Sequence, residues 1–471
     1  MKAGALPFWA RVGTRFLPFA DAASAALPLD RLLRLSLFQV SVGMAAVLLT
    51  GTLNRVMILE LGMSASIVAA MVSLPLLFAP LRALIGHKSD THRSLLGWKR
   101  VPYIWFGTLL QFGGLAILPF ALLVMSGTGN GPAWVGQAGA AAAFLLVGAG
   151  MHVTQTAGLA LAADLAPADV RPRVVALLYV MLLAGMLVSA LVIGRLLIDF
   201  SPMRLIQVIQ GAAALTMVLN LIALWKQEAR APRAVVAQPA ASSPDFGTQW
   251  RALVARPGML RLMVAVGLGA AAFAMQDVLL EPYGGQVLHL SVGQTTLLTA
   301  LWAAGMLAGF AIAARMLGQG GEPHRLAGFG AVAGIAAFMM LIFAGPLGQA
   351  PLLSAGAAGI GFGAGLFSVG TLTAAMAAAA DGGAGLALGG WGAVQATATG
   401  LAIAIGAILR DAVSASAINQ AFGPTLAAPA TGYALVYGLE ILLLLGTLVA
   451  LGPLVSPRDA PTRFGLSGFP T

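Results

Sequence analysis

Gly148-Ala-Gly-Met-His-Val-Thr-Gln-Thr-Ala-Gly158 lies inside one long apolar run, and Gly363-Ala-Gly-Leu-Phe-Ser-Val-Gly-Thr-Leu-Thr373 lies inside another, six apolar runs further along the chain. Ala/Gly-rich helices align easily, so the weight of the match rests on its interval, which is the one that two paired six-helix halves produce. Windows of about 19 residues on a hydropathy scale place the runs near 32–53, 66–86, 103–126, 134–163, 174–198, 204–225, 261–281, 293–317, 325–344, 352–380, 389–410 and 432–452. The longest gap carries Lys226, Arg230, Arg233, Arg251 and Arg256 around the Gln-Pro-Ala-Ala-Ser-Ser-Pro stretch at 238–244, and reads as a polar linker. The expected organisation is an extension over 1–31, a six-helix bundle over 32–225, a linker over 226–260, a second bundle over 261–452 and a tail over 453–471.

Composition sets the solvent. Of 471 residues, 59% are hydrophobic and 9% charged, against about 25% charged in an average soluble domain. Most of the outer surface must therefore face hydrocarbon. A soluble enzyme on a single anchor is excluded because the apolar runs recur along the whole chain, and an outer-membrane barrel is excluded because they are continuous rather than alternating. With no cysteine, disulfides, thiolate zinc sites and cysteine-held iron–sulfur clusters are excluded. The fold class expected is an all-α polytopic membrane protein of twelve transmembrane helices in two six-helix halves, major-facilitator-like.

The net charge of +10 has a location. All of the 26 basic residues except Arg55, Arg195, Arg204 and Arg410 fall in the termini and in the loops after even-numbered helices. The positive-inside rule then makes both termini cytoplasmic. The basic face meets anionic lipid headgroups or a protein partner, and nucleic acid is not an expected partner. Lys2, Arg11 and Arg15 precede no cleavable apolar core, so the N-terminus is expected to be retained.

Between the second and third helices runs Arg82-Ala-Leu-Ile-Gly86-His-Lys88-Ser-Asp90-Thr-His-Arg93-Ser-Leu-Leu-Gly97-Trp-Lys99-Arg100-Val-Pro102-Tyr103. A glycine at a helix end, an aspartate four residues on and basic residues beyond can bridge neighbouring helices, the carboxylate pairing with an arginine or a helix N-terminus. A simple positive-inside anchor would explain the same basic residues. This loop, with Leu37-Phe-Gln-Val-Ser-Val-Gly-Met, Gly51-Thr-Leu-Asn-Arg-Val-Met-Ile and Met275-Gln-Asp-Val-Leu-Leu-Glu-Pro-Tyr-Gly-Gly, closely resembles the PucC/LhaA family of photosynthetic purple bacteria, the bacteriochlorophyll-delivery branch of the major facilitators. The resemblance spans all twelve helices. It implies an assembly factor for light-harvesting antenna complexes in the intracytoplasmic photosynthetic part of the bacterial inner membrane. Such a factor would hand bacteriochlorophyll to newly inserted α and β antenna polypeptides or shepherd them. The reaction-centre core complex, pigment-synthesis or insertion machinery and membrane lipid are further partners it implies.

Three sets of residues stand out for chemistry. His152 lies mid-helix with Gln155 and Thr156 at i+3 and i+4. A neutral imidazole there could ligate the magnesium of bacteriochlorophyll or simply hydrogen-bond a neighbouring helix. Phe367 is its counterpart in the aligned repeat, so the position does not demand histidine for packing. Asp277 and Glu281 share a face of the seventh helix, which Pro282 is expected to stop. Because the first helices of the two halves meet near the pseudo-twofold axis, Arg55, with Glu60 at the same end of the first helix, is expected to pair with Asp277 or Glu281 as a latch; an exposed interfacial cap is the other reading. Glu440, deep in the twelfth helix, should face protein rather than lipid. Asn54, Arg195, Asp199 and Asp411 sit near expected helix ends, where snorkelling explains them.

No nucleotide-binding Gly-x-x-x-x-Gly-Lys, His-Glu-x-x-His or Gly-x-Ser-x-Gly pattern points to an enzyme. The competing function is a proton-coupled secondary transporter of a small hydrophobic or anionic solute, with Asp277 or Glu281 as proton carrier.

Overall fold

The computed structural model describes residues 22–23, 27–78, 98–127, 132–167, 170–228, 251, 253–377, 384–419, 423 and 427–455, and every regular element among them is helical. In hydrocarbon a helix satisfies its own backbone, which is why long apolar runs become helices. The spans are α1 (Leu29–Glu60), α3 (Val101–Met125), α4 (Ala133–Leu165), α5 (Arg171–Leu196), α6 (Pro202–Leu224), α8 (Val292–Gly318), α9 (Pro323–Leu347), α10 (Ala350–Ala377), α11 (Ala384–Ile418) and α12 (Ala430–Leu451). These ten are long and apolar enough to cross a membrane. Two shorter apolar helices fill the remaining positions: α2 (Ala65–Ser73), which continues as a 3-10 turn to Phe78, and α7a (Met259–Ala274), followed by α7b (Leu280–Val287).

The halves repeat one another in their contacts. Helix α1 packs on α5 and α6 as α7a packs on α11 and α12, and α3 packs on α4 and α6 as α9 packs on α10 and α12. The halves meet along α5 with α8 and along α2 with α11. Close approach through glycine fixes the register. A Cβ on Gly150 would lie 2.5 Å from the Gly107 carbonyl oxygen and 2.6 Å from the Gln111 nitrogen; a Cβ on Gly363 would lie 2.6 Å from the Gly330 oxygen and 2.9 Å from the Gly334 nitrogen. Gly150 on α4 therefore corresponds to Gly363 on α10. This shifts the sequence alignment by two residues, and the counterpart of His152 becomes Gly365 rather than Phe367. Small residues recur so densely in both stretches that composition alone could not resolve this slip.

Three helix boundaries also differ from expectation. Helix α1 runs on to Glu60 through two π-helical stretches, Val47–Thr52 and Val56–Glu60. The Thr50 hydroxyl donates to the Ala46 carbonyl at 2.9 Å and the Asn54 amide donates to the Thr50 carbonyl, so side chains compete for the acceptors of the regular ladder. Helix α11 extends to Ile418 instead of ending at 410.

The seventh helix breaks over residues 275–279, and Pro282 sits in the first turn of α7b rather than at a terminus. A continuous helix would press the Pro282 ring against the carbonyl of Val278, four residues back, and leave that carbonyl without a donor. Restarting the helix at Leu280 puts proline where a missing N–H costs little.

Candidate functional site

Within the first half, Gln155 on α4 donates to the Gln39 side chain on α1 at 3.4 Å, and the Phe38 ring covers Gly158. Gln39 is completely buried. His152 is half-buried one turn before Gln155. Gly148, four residues earlier on that face, packs against Pro75 at the end of α2. His152 thus sits on the side of α4 between α1 and α2. Nearby polar side chains lock the helices behind it: Ser41 donates to Asn220 at 2.8 Å, Asn220 to Thr108 at 2.8 Å, and Gln111 to Thr154 at 3.0 Å. The second half replaces this polar set with rings, Phe273 lying 5.8 Å from Phe367 and 6.4 Å from Phe338 between centroids.

At the distal end, remote from Leu29 and Leu451, the expected latch takes a different form. The Arg55 guanidinium pairs with Glu60 of its own helix at 2.7 Å. Its other arm donates to the Leu290 carbonyl at 3.1 Å, beyond α7b in the other half. The π-turn brings residues five apart onto one face, so the nearer carboxylate wins. A Cβ on Gly285 would meet Arg55 Nε at 3.1 Å, so the guanidinium lies on α7b.

Neither Asp277 nor Glu281 forms a salt bridge with Arg55, although Glu281 lies within its electrostatic reach. Asp277 accepts from the Gln276 amide at 2.6 Å, while its carbonyl accepts from Asn54 at 3.4 Å. Glu281 is buried, accepts from the Thr299 hydroxyl at 2.6 Å and abuts Gly51 of α1. Thr52 and Thr296 meet at 3.1 Å beside it.

A second junction escaped the sequence reading. Asp411 on α11 accepts the backbone N–H of Ser66 at 2.7 Å and of Ala65 at 3.3 Å, placing a carboxylate on the N-terminus of α2 across the two halves. Arg410 pairs with Asp411 at 2.9 Å, donates to Tyr433 at 2.7 Å, reaches Gln286 on α7b and stacks 4.5 Å from the Tyr433 ring centre. Asp411 is half-buried and Asn54 is completely buried, so snorkelling explains neither. The missed signal is the helical spacing that runs from Ile408 past Arg410 through Ala412 and Ala415, which continues α11 by two turns.

The long basic loop is described only from residue 98; Arg82, Gly86, Asp90 and Arg93 lie outside the described residues. Arg100, buried, pairs with Asp164 at 3.0 Å, and Lys99 reaches the same carboxylate at 3.7 Å. Glu228, after α6, accepts from the backbone N–H groups of Lys99 at 2.5 Å, Arg100 at 2.9 Å and Val101 at 2.9 Å. Opposite charges thereby tie the start of α3 to the end of α4 and to the beginning of the linker, a role for Glu228 that its place in a polar stretch concealed.

The comparisons with known proteins bear on the whole of this arrangement. A family model described as PUCC protein matches residues 52–458. A protein described as lying in the puhA-bchM intergenic region of Rhodobacter capsulatus is 57% identical over 465 residues, covering 97% of each chain. Protein PucC of Rhodovulum sulfidophilum is 59% identical over 421 residues, 88% of this chain and 93% of its own. A bacterial homolog of the human lysosomal transporter Spinster, solved inward-facing and unoccupied, superposes with a TM-score of 0.63 at 15% identity, over 90% of this chain and 95% of that one. That likeness shows a major-facilitator fold. With a family match from Thr52 in α1 to the residues after α12, and relatives near 60% identity along almost the full length, this chain belongs to the PucC family.

Proposed function

We propose that this chain is a non-enzymatic assembly factor for bacterial light-harvesting antenna complexes, receiving bacteriochlorophyll and shepherding α and β antenna polypeptides in the intracytoplasmic photosynthetic membrane. The observation that carries the reading is His152: an imidazole half-buried at membrane depth, beside Gln155, in a family whose members bear the name PucC. An intramembrane histidine is a functional residue by default.

A half-buried imidazole is the kind of donor that the magnesium of the pigment takes. His152 would hold the magnesium, with Gln155 beside it, and bound bacteriochlorophyll supplies an absorbing macrocycle rather than a reaction. Exposed apolar residues such as Phe106, Phe120, Val188 and Val192 give outward faces on α3 and α5 for single antenna helices or lipid. Basic residues at the terminal end suit anionic headgroups, with both termini cytoplasmic. The reaction-centre core complex and the pigment-synthesis or insertion machinery complete the proposed partners.

The test is an absorption spectrum of gently purified protein. Near-infrared pigment with co-purifying small antenna subunits is expected, and His152→Phe should lower the pigment retained. Unchanged pigment in a folded His152→Phe protein removes that residue from the site. A colourless native protein with substrate-dependent proton flux in vesicles would instead make it a transporter.

A further inference from the structure

Behind the break in the seventh helix sits a carboxyl that none of these interactions reaches. Glu440, in the middle of α12, is completely buried, and neither of its oxygens has a hydrogen-bond partner. It faces the backbone N–H of Gln276 and lies within electrostatic reach of Asp277. The backbone hydrogen bonds of the break start from the N–H groups of Met275, Asp277, Leu279 and Leu280, so the Gln276 N–H is left over from the helical ladder. Gln276 itself is buried, with its side-chain oxygen also unpartnered. The break thus leaves a backbone N–H facing a carboxyl with two unmet oxygens.

The groups around Glu440 provide no counter-charge. From α7a and the break comes Asp277, a second acid. From α7b comes Tyr283, whose hydroxyl is committed to Leu341 and Gly345, while Glu281 turns to Thr299. From α11 comes Arg410, already held by Asp411, Tyr433 and Gln286. Tyr437 lies one turn earlier on α12 and stacks on Phe338 of α9. Among the described residues no group of three histidine or acidic side chains is placed to hold a metal ion.

We propose that Glu440 is a proton-binding site behind the α7 break, outside the space between the two halves. The freed Gln276 N–H faces this carboxyl as a backbone donor, and a proton on the carboxyl removes the charge that its surroundings do not offset. An ionised carboxylate here would lie in apolar surroundings beside Asp277, and relief requires the 275–279 turn to open or α12 to turn. Proton occupancy of Glu440 is thereby coupled to the shape of the seventh helix, whose α7b carries the contacts to Arg55 and Arg410. This inference goes beyond pigment handling and does not depend on it.

The test uses the full-length protein in lipid nanodiscs. Infrared spectra across a pH series should contain a protonated-carboxyl band that disappears in Glu440→Gln and persists in Asp277→Asn. Dicyclohexylcarbodiimide, which attacks protonated carboxyls in apolar surroundings, should label the Glu440 peptide in the native protein, with labelling falling as pH rises. The labelling needs no variant, so it decides the matter even where Glu440→Gln fails to fold. A band that survives in folded Glu440→Gln, or label found on Asp277 and absent from Glu440, overturns the proposal. Protection of Glu440 by sodium at constant pH would also overturn it, making the site one for a metal cation.

Discussion

The carboxylate of Asp411 accepts the backbone N–H of Ser66 at 2.7 Å, joining α11 of the second half to the first turn of α2 in the first. This contact closes the distal end together with Arg55 on the Leu290 carbonyl and the Thr52–Thr296 pair. An acidic side chain on a helix N-terminus is a charge-assisted contact, and burial shields it from salt. The distal junction between halves therefore includes a helix end and an aspartate, and Arg55 contributes through a backbone carbonyl instead of a salt bridge to Asp277 or Glu281. Opening this end requires Asp411 to leave α2.

Replacing Asp411 with alanine should loosen the distal junction. The native chain has no cysteine, so a single Thr52→Cys reports access to the buried interface. Membrane-impermeant maleimide should label that cysteine faster in the Asp411→Ala background than in the otherwise native chain, with a stability loss of about 1–2 kcal/mol. Equal labelling rates would show that Asp411 caps α2 without controlling closure.

Arg55 should couple to Glu60 and not to Asp277. A double-mutant cycle with Arg55→Gln and Glu60→Gln should give a coupling of roughly 0.5–1 kcal/mol, modest because Glu60 is partly solvated. The cycle of Arg55→Gln with Asp277→Asn should give a value near zero. Thermal unfolding of the four proteins in each cycle supplies the numbers, and a larger coupling to Asp277 would restore the latch across the halves.

The parts of this molecule that were legible beforehand are those set by apolar length. Helix number and the division into halves follow from runs too long and too poor in charge to be anything else. Partnering was less legible because a π-turn, invisible to hydropathy, swings Arg55 onto Glu60. The extent of α11 was hidden because Arg410 and Asp411 resemble a helix end when their partners, Tyr433 and the α2 N-terminus, are unknown. His152 was recognisable as an intramembrane polar residue, yet its structural counterpart was misassigned because Gly363 and Gly365 are interchangeable to an alignment of small residues.

The corrected register makes matched predictions for the two halves. Gly150→Ala and Gly363→Ala each push a methyl group into the backbone of the facing helix, at 2.5 Å from the Gly107 oxygen and 2.6 Å from the Gly330 oxygen. Backbone cannot move aside as a side-chain tip can, so each substitution should cost about 1–3 kcal/mol. Gly113, where an added methyl would meet no atom within 4 Å, is the control and should tolerate alanine. Unfolding temperatures in one detergent would compare all three; a Gly113-like result at Gly363 alone would mean the halves do not share this contact.

Acid should weaken the start of α9 through Glu322. Its carboxylate accepts the backbone N–H of Arg325 at 2.7 Å and of His324 at 3.1 Å. Burial acts to raise the Glu322 pKa, but the hydrogen bonds from the His324 ring and from these two N–H groups outweigh it and hold the carboxyl below the ordinary glutamate value. A depressed folded-state value means that the cap stabilises fully above the ordinary glutamate range. Its contribution is lost as pH falls through the lower folded value. Glu322→Gln should flatten that part of the acid dependence, and Glu322→Ala should lower stability by about 1 kcal/mol near neutrality. Unfolding temperature against pH for the three proteins checks both, and identical acid limbs in native and Glu322→Gln protein would remove Glu322 as the titrating cap.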